Sequence, residues 1–366
     1  MKTIKIIYTA LIFALVLNAC SKKISFDADL ISSKLVINGI IEPDSLVDLV
    51  IATSKPIPGT ISDFIWLPNA TVVLYEDGNK VETLETYDLV YAENDDQEYN
   101  YNYNYSEEKR PAKAYRSKLR TKAGSTYRLE ITHPDYESVS CETTIPEPVE
   151  IISIDTSSFK ENQHGYERNV LKVELKFKDP ENEPNYYRMI AHVLRGEPTV
   201  NYNYETREYT DTVVNVTETY ANINDPIINP ENEDANDILF NSPSNRYNVF
   251  TDELIDGKEY TITFKLEYYV NRFDLDSITE NMGAFYNIDF ILQAISRETY
   301  LYYKSSYEHK YYDGELFVEP VQVFSNVENG IGIFGATSGT SFSYKDGEYP
   351  IDGVIYQQGN YYNYYY

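Results

Sequence analysis

Most residues in this chain that could do chemistry are not spaced for it. The histidines are His133, His164, His192 and His309. No two have metal-ligand spacing, and there is no His-Glu-x-x-His, so each reads as a surface or structural histidine. Gly335-Ala-Thr-Ser-Gly339 holds a serine between glycines, one place late for the Gly-x-Ser-x-Gly nucleophile elbow. Neither a P-loop nor Gly-x-Gly-x-x-Gly occurs. The 58 acids could hide a carboxylate pair for glycoside hydrolysis, but such a pair is defined by its separation in space. Glu93-Asn-Asp-Asp96 and Pro230-Glu-Asn-Glu-Asp-Ala-Asn-Asp237 offer oxygens of the kind calcium takes. Neither has the ordered aspartates and glycine of a calcium loop, and a solvated charge run is the simpler reading. No catalytic residue, metal or cofactor is expected.

One cysteine is placed for chemistry. Lys2 and Lys5 precede an apolar run from Ile6 to Leu17, which ends in Leu17-Asn18-Ala19-Cys20. A basic start, a short apolar run and a small residue before the cut make a secretory signal peptide. The run is too short for a permanent span, which needs about 20 residues. A cysteine directly after Leu-x-Ala is the lipobox arrangement, in which the thiol receives a diacylglyceryl group and becomes the mature first residue. Cys20 is therefore read as the lipidation site. No other apolar run is long enough to cross a membrane, so the lipid would be the only anchor.

The formal net charge is −27, and loss of the signal with Lys2 and Lys5 and no acid leaves −29. Such a surface repels nucleic acid and anionic headgroups. Tyrosine is over-represented, with 37 Tyr against 15 Phe and one Trp. Tyrosine joins apolar area to a hydrogen-bonding tip, which suits both ligand contact and strand packing. With Cys20 acylated, Cys141 has no partner. The chain is then no disulfide scaffold and needs a real core, and Cys141 reads as a core strand residue.

The elements that would position any site are strands. Lys34 to Ile41, Leu46 to Ala52, Asn69 to Tyr75, Val81 to Thr86, Tyr115 to Thr121, Thr126 to Thr132 and Ser138 to Ile145 are short and bounded by turn residues. Glu76-Asp77-Gly78-Asn79 is a hairpin signal. Tyr99 to Tyr105 alternates Tyr and Asn between acidic flanks and is read as a surface-loop insertion. Pro146-Glu147-Pro148 stiffens a linker and marks the boundary. Beyond it, Val173, Leu175 and Phe177 alternate with charges, and Asn287 to Ile295 reads as a central buried strand. Gly196 to Arg246 is acidic and rich in Asn and Pro, and is expected to carry few strands. Ser296 offers an N-cap for one helix over Arg297 to Lys310. Phe324 to Gly335 is the densest glycine stretch. Tight turns around a buried Phe334 explain it structurally. The alternative makes Asn326, Asn329, Gly330, Gly332, Phe334 and Gly335 a functional loop whose glycine amides approach a ligand.

The expected fold is mainly β, with two β-sandwich-like domains in tandem, the second larger and carrying the helix. Residues 1–19 are the signal, 20–33 the lipidated cysteine and tether, and 34–147 an Ig-like sandwich. Residues 148–352 form the second β domain, and 353–366 a Tyr/Asn-rich tail.

Several stretches in series resemble a known family. They are the lipobox, Lys34-Leu-Val-Ile-Asn-Gly39, Ala70-Thr-Val-Val-Leu-Tyr75 and the Tyr127 to Pro148 stretch ending Thr-Ile-Pro-Glu-Pro. Asp179-Pro180, Asn185-Tyr-Tyr-Arg188 and Phe250-Thr-Asp-Glu-Leu-Ile-Asp-Gly257 follow, then Ser325-Asn326 with Gly330-Ile-Gly-Ile-Phe-Gly335. In this order they resemble the Bacteroidota lipoproteins of domain of unknown function 4249. The resemblance implies an exported lipoprotein, often encoded beside a TonB-dependent outer-membrane transporter, and brings no catalytic residues. The expected function is a non-enzymatic binding or accessory subunit of such an uptake system, lipid-anchored at the outer membrane and facing the cell surface. A surface adhesive or structural role is the alternative, and a carboxylate-dependent hydrolase a further one.

Overall fold

The computed structural model describes residues 33–54, 66–88, 113–163, 166–203, 208–221, 223–229, 245–268, 285–312, 321–346 and 355–358. Cys20 with its signal and tether, the Tyr99 to Tyr105 stretch, the two acidic runs at 93–96 and 230–237, and residues 359–366 lie outside the described residues.

The N-terminal strands are β1 (Leu35–Ile41), β2 (Leu46–Thr53), β3 (Thr71–Glu76), β4 (Asn79–Thr83), β5 (Glu85–Asp88), β6 (Lys113–Arg120), β7 (Thr126–His133) and β8 (Tyr136–Thr144). Asp77 and Gly78 have φ of 50° and 79°, the two positive values that a tight β3–β4 hairpin needs. On β7, Tyr127, Leu129 and Ile131 face inward and are buried. They meet Leu35, Ile37, Leu49, Ile51 and Tyr115 of the opposing layer in one core.

The second set is β9 (Glu150–Gln163), β10 (Tyr166–Lys178), β11 (Tyr186–Asn203), β12 (Glu208–Tyr220), β13 (Val249–Thr251), β14 (Glu259–Tyr268), β15 (Phe285–Ile295), the helix α1 (Arg297–Tyr312), β16 (Ile331–Asp346) and β17 (Ile355–Gln358). Val173, Leu175 and Phe177 of β10 are fully buried and pair in register with Phe264, Ile262 and Tyr260 of β14. Facing them, Tyr187, Met189 and Ala191 of β11 and Ile288, Phe290 and Leu292 of β15 close a second core. The fold is therefore mainly β, with one helix among the described residues.

The stretch from Gly196 to Arg246, expected to carry few strands, holds the end of β11 and all of β12. Thr210-Asp-Thr-Val-Val-Asn-Val-Thr217 is rich in β-branched residues, and that preference outweighs the polar composition. Among the described residues β15 pairs with β11 no further than Gly196, which leaves Pro198 with β12 as its described neighbour, a position where a proline is tolerated.

The sheets do not divide at the linker as the cores do. One ten-stranded sheet runs β17-β12-β11-β15-β16-β1-β2-β6-β5, with β13 beside β11. The opposing layers are β4-β3-β7-β8 in one sandwich and β14-β10-β9 in the other. The strand common to both sandwiches is β16. Ile331 to Ala336 pair in parallel with Val36 to Ile41 of β1, and Thr337 to Asp346 pair antiparallel with Ile295 to Tyr286 of β15. The core of the unit expected over 34–147 thus includes Val327, Phe334 and Ala336 from near the C-terminal end.

The point where β16 changes partner is fastened by the helix. Ser296 caps α1 through the Thr299 amide at 3.3 Å, as its residue type and position predict. The amide of Ala336 donates to Thr299 Oγ1 at 3.0 Å and to Ser296 Oγ at 3.3 Å. In return the Ser296 amide donates to the Ala336 carbonyl at 2.8 Å. Thr299 is fully buried there.

Candidate functional site

The glycine stretch is built into the seam between β1, β8 and α1. Asn326, in the loop before β16, reaches forward onto that strand. Its Oδ1 accepts from the Phe334 amide at 2.9 Å, and its Nδ2 donates to the Phe334 carbonyl at 2.7 Å and the Glu142 carbonyl at 3.0 Å. Asn329 takes a positive φ of 61°, and Glu328 bridges to Ser140 of β8. Gly330 packs against Val327, Val139 and the Leu35 carbonyl. Gly332 has φ +117°, and a Cβ there would fall 1.9 Å from the Ile37 carbonyl oxygen. Phe334 is fully buried, and a Cβ on Gly335 would fall 2.2 Å from Thr299 Oγ1. The structure brings all six residues together, and each has a packing or hydrogen-bonding partner within the seam.

An open space lies beside this seam, where the linker passes between the sandwiches. It is a cleft of about 800 Å³. One wall is the end of β8 with the linker, from Glu142 to Glu150; the other runs from Lys178 to Tyr187, with Ala294 to Glu298 between them. The lining contains Pro146, Pro148, Pro180 and Pro184, which carry no N–H. Carboxylates come from Glu142, Glu147, Glu150, Asp179, Glu183 and Glu298, against the two cations Lys178 and Arg297. Thr143 also lines the cleft. It is 3% exposed, and its hydroxyl has no hydrogen-bond partner. None of these lining residues was singled out as a site from the sequence, because the two walls are brought together only by the tertiary fold.

At the far wall, Asp179, Asp252 and Asp256 each bring a carboxylate oxygen within 4.8 Å of the others. Three oxygens at that spacing are what a hard divalent cation would use. Each carboxylate also has a structural task. Asp179 accepts from Tyr187 Oη and from the Gly257 amide at 2.9 Å, Asp252 from the Asn185 amide at 2.8 Å, and Asp256 from the Asn182 amide at 3.0 Å. Together they tie the Pro180–Asn185 loop to the loop after β13. Burial, with Asp252 and Asp256 adding repulsion, raises the Asp179 pKa against the opposing pull of its two donors. Burial and the Asp179 hydrogen bond push the Tyr187 hydroxyl up. In the sequence, Asp179-Pro180 and Phe250 to Gly257 mark the family resemblance, and nothing in them joins the three aspartates.

The other reactive side chains are structural in their surroundings. His133 accepts from the Asp135 amide at Nδ1, 3.1 Å, and meets Asn69 Oδ1 at Nε2, 2.8 Å. His192 stacks on Tyr220 with Asp289 at 3.8 Å, and His309 donates to the Val321 carbonyl. His164 lies outside the described residues. Cys141 is a free, buried thiol, and burial pushes it up to about 12.

A family model described as "Domain of unknown function (DUF4249)" matches residues 22–343. No curated protein matches the chain.

Proposed function

From a chain that belongs to the DUF4249 family, we propose a non-enzymatic outer-membrane lipoprotein that acts as a ligand-binding or accessory subunit of a TonB-dependent nutrient uptake system. The observation that carries this reading is the open cleft between two sandwiches joined through one continuous sheet. Clefts at domain interfaces are a preferred place for ligands, and a strand shared by both sandwiches resists their relative motion. Placement at the membrane is supported by Leu17-Asn18-Ala19-Cys20 and the polar tether to residue 33. Such a tether raises the effective concentration of the body near a barrel without a tight affinity of its own. The transporter as partner is supported by the family resemblance.

The test is co-purification. Tagged protein at native levels, extracted in mild detergent, is expected to bring down a TonB-dependent barrel. Cys20→Ser is expected to leave the membrane fraction and lose the barrel. If no barrel is recovered under conditions where established lipoprotein–transporter pairs survive, the reading fails.

A further inference from the structure

We propose that the cleft between the sandwiches is the docking site for an extended, arginine- or lysine-rich peptide segment, laid along the linker at 146–148. The identity of its owner, the transporter, rests on the function proposed above; the chemistry of the segment does not.

The first argument is the balance of donors and acceptors. The carboxylates of Glu142, Glu147, Glu150, Glu183 and Glu298 line the cleft, and none of them has a hydrogen bond or ion pair among the described residues. Elsewhere the chain does pair its acids, as in Glu85–Lys118, Glu76–Lys122, Glu259–Lys176 and Glu161–Lys265. The prolines of the walls remove donors without removing acceptors. A ligand that fits must therefore be rich in donors and positively charged, which describes guanidinium and ammonium groups.

The second argument is the unused polar groups. Thr143 stands in the wall, 3% exposed, with a hydroxyl that has no partner, and such buried groups are ordinarily satisfied. Across Pro146-Glu147-Pro148 the backbone makes no hydrogen bond among the described residues. Ile145 is paired with Gly124 and Ser125, and the Val149 carbonyl accepts from Thr340, so the open edge is residues 146–148, about 10 Å of extended chain.

The third argument is dispersal. Only Asp179 converges with other carboxylates, Asp252 and Asp256, and those are already engaged by backbone amides. The remaining acids are distributed along both walls. Spaced cations on one extended chain match that pattern better than a single ion. Pro146, Pro148 and Tyr186 offer apolar surface to the methylene stems of long basic side chains.

The probe is a fluorescein-labelled eight-residue peptide of alternating arginine and glycine, titrated by anisotropy into the full chain at low salt. Binding is expected, and none for the same peptide with glutamate in place of arginine. The variant Glu147→Gln/Glu150→Gln/Glu183→Gln is expected to weaken binding at least ten-fold. A control, Glu137→Gln/Asp155→Asn/Glu253→Gln, removes as much charge from exposed positions elsewhere, and should change it less than two-fold. Equal losses in the two variants would mean unspecific attraction to an acidic protein and would overturn the proposal, as would no binding by the parent chain. A photo-crosslinking form of the peptide tests the same point on the unaltered protein. Label within 142–150 or 178–187 is expected, and label confined to other segments overturns the proposal. These readouts use purified protein, so they stand or fall whether or not a transporter co-purifies. If a barrel is recovered with the parent chain, it should be lost from the cleft variant; its retention would place the transporter elsewhere and overturn the assignment of its segment to the cleft.

Discussion

Gly332→Ala tests whether the seam is as tightly constrained as its geometry requires. Two separate penalties act there. The backbone sits at φ +117°, where an L side chain costs about 1–3 kcal/mol. The new Cβ would also stand 1.9 Å from the Ile37 carbonyl oxygen, a backbone atom held by the β1–β16 ladder. Relief of such overpacking costs about a further 1–3 kcal/mol. Two other glycines separate the contributions. Gly78 has φ +79° with nothing within 4 Å of its Cβ position, so Gly78→Ala isolates the backbone penalty. Gly335 has no positive φ, but its Cβ would meet Thr299 Oγ1 at 2.2 Å, so Gly335→Ala isolates the overlap. With an unfolding entropy of about 2.1 cal/mol/K per residue, the chain loses roughly 1.5 °C of melting temperature per kcal/mol. Gly332→Ala is then expected to lower Tm by about 3–9 °C, and each of the others by about 2–4 °C. Circular dichroism melts of the three variants under one condition make the comparison. A Gly332→Ala shift no larger than that of Gly78→Ala would refute the close approach of β16 to β1. An unchanged melt with lost peptide binding would move the loop from a packing to a binding role.

Ser296→Ala together with Thr299→Val removes both side-chain acceptors of the Ala336 amide and the helix cap, and should destabilise by about 2–4 kcal/mol in denaturant titration. In a Cys20→Ser background, Cys141 should resist a thiol reagent at pH 8 in the native protein and react at once in denaturant, since burial holds its pKa near 12. Asp179 has a folded-state pKa raised above its unfolded value, so it binds its proton more tightly when folded. Its contribution to stability should rise as pH falls through the folded pKa and be complete below the unfolded one. Melts of the parent and Asp179→Asn from pH 7 to 4 should show the parent gaining on the variant as acid is added.

Local patterns were legible in the sequence wherever one physical preference dominated. The alternation of Val173, Leu175 and Phe177, the Asp77-Gly78 turn and the Ser296 cap each appear in the structure at the expected place. Composition misled at β12, where the Asn and Glu count masked a β-branched run. Pairing over long distance was not legible. Nothing local to Ile331–Ala336 tells that it lies beside β1 rather than β15, because both are apolar β-rich segments and register is decided by the assembled core. The cleft and the three aspartates were invisible for the same reason. Asp179 and Gly257 are separated by 78 positions yet share a hydrogen bond, and a sequence pattern reports spacing along the chain only.

The strand shared by the two sandwiches also sets a timetable for folding. Glu42 beside β1 meets Thr337 of β16 across 295 positions, so the first sandwich cannot complete its sheet until almost the whole chain exists. At about 5–20 residues per second of synthesis, β1 waits roughly 15–60 s for its parallel neighbour. During that interval its far edge is an unpaired apolar template, open to pairing with other chains. Loop closure over such a distance is slow in its own right. Refolding from denaturant should therefore show a late phase in which α1 and β16 dock together. Truncation before residue 336 should leave a chain that collapses without acquiring a cooperative melt.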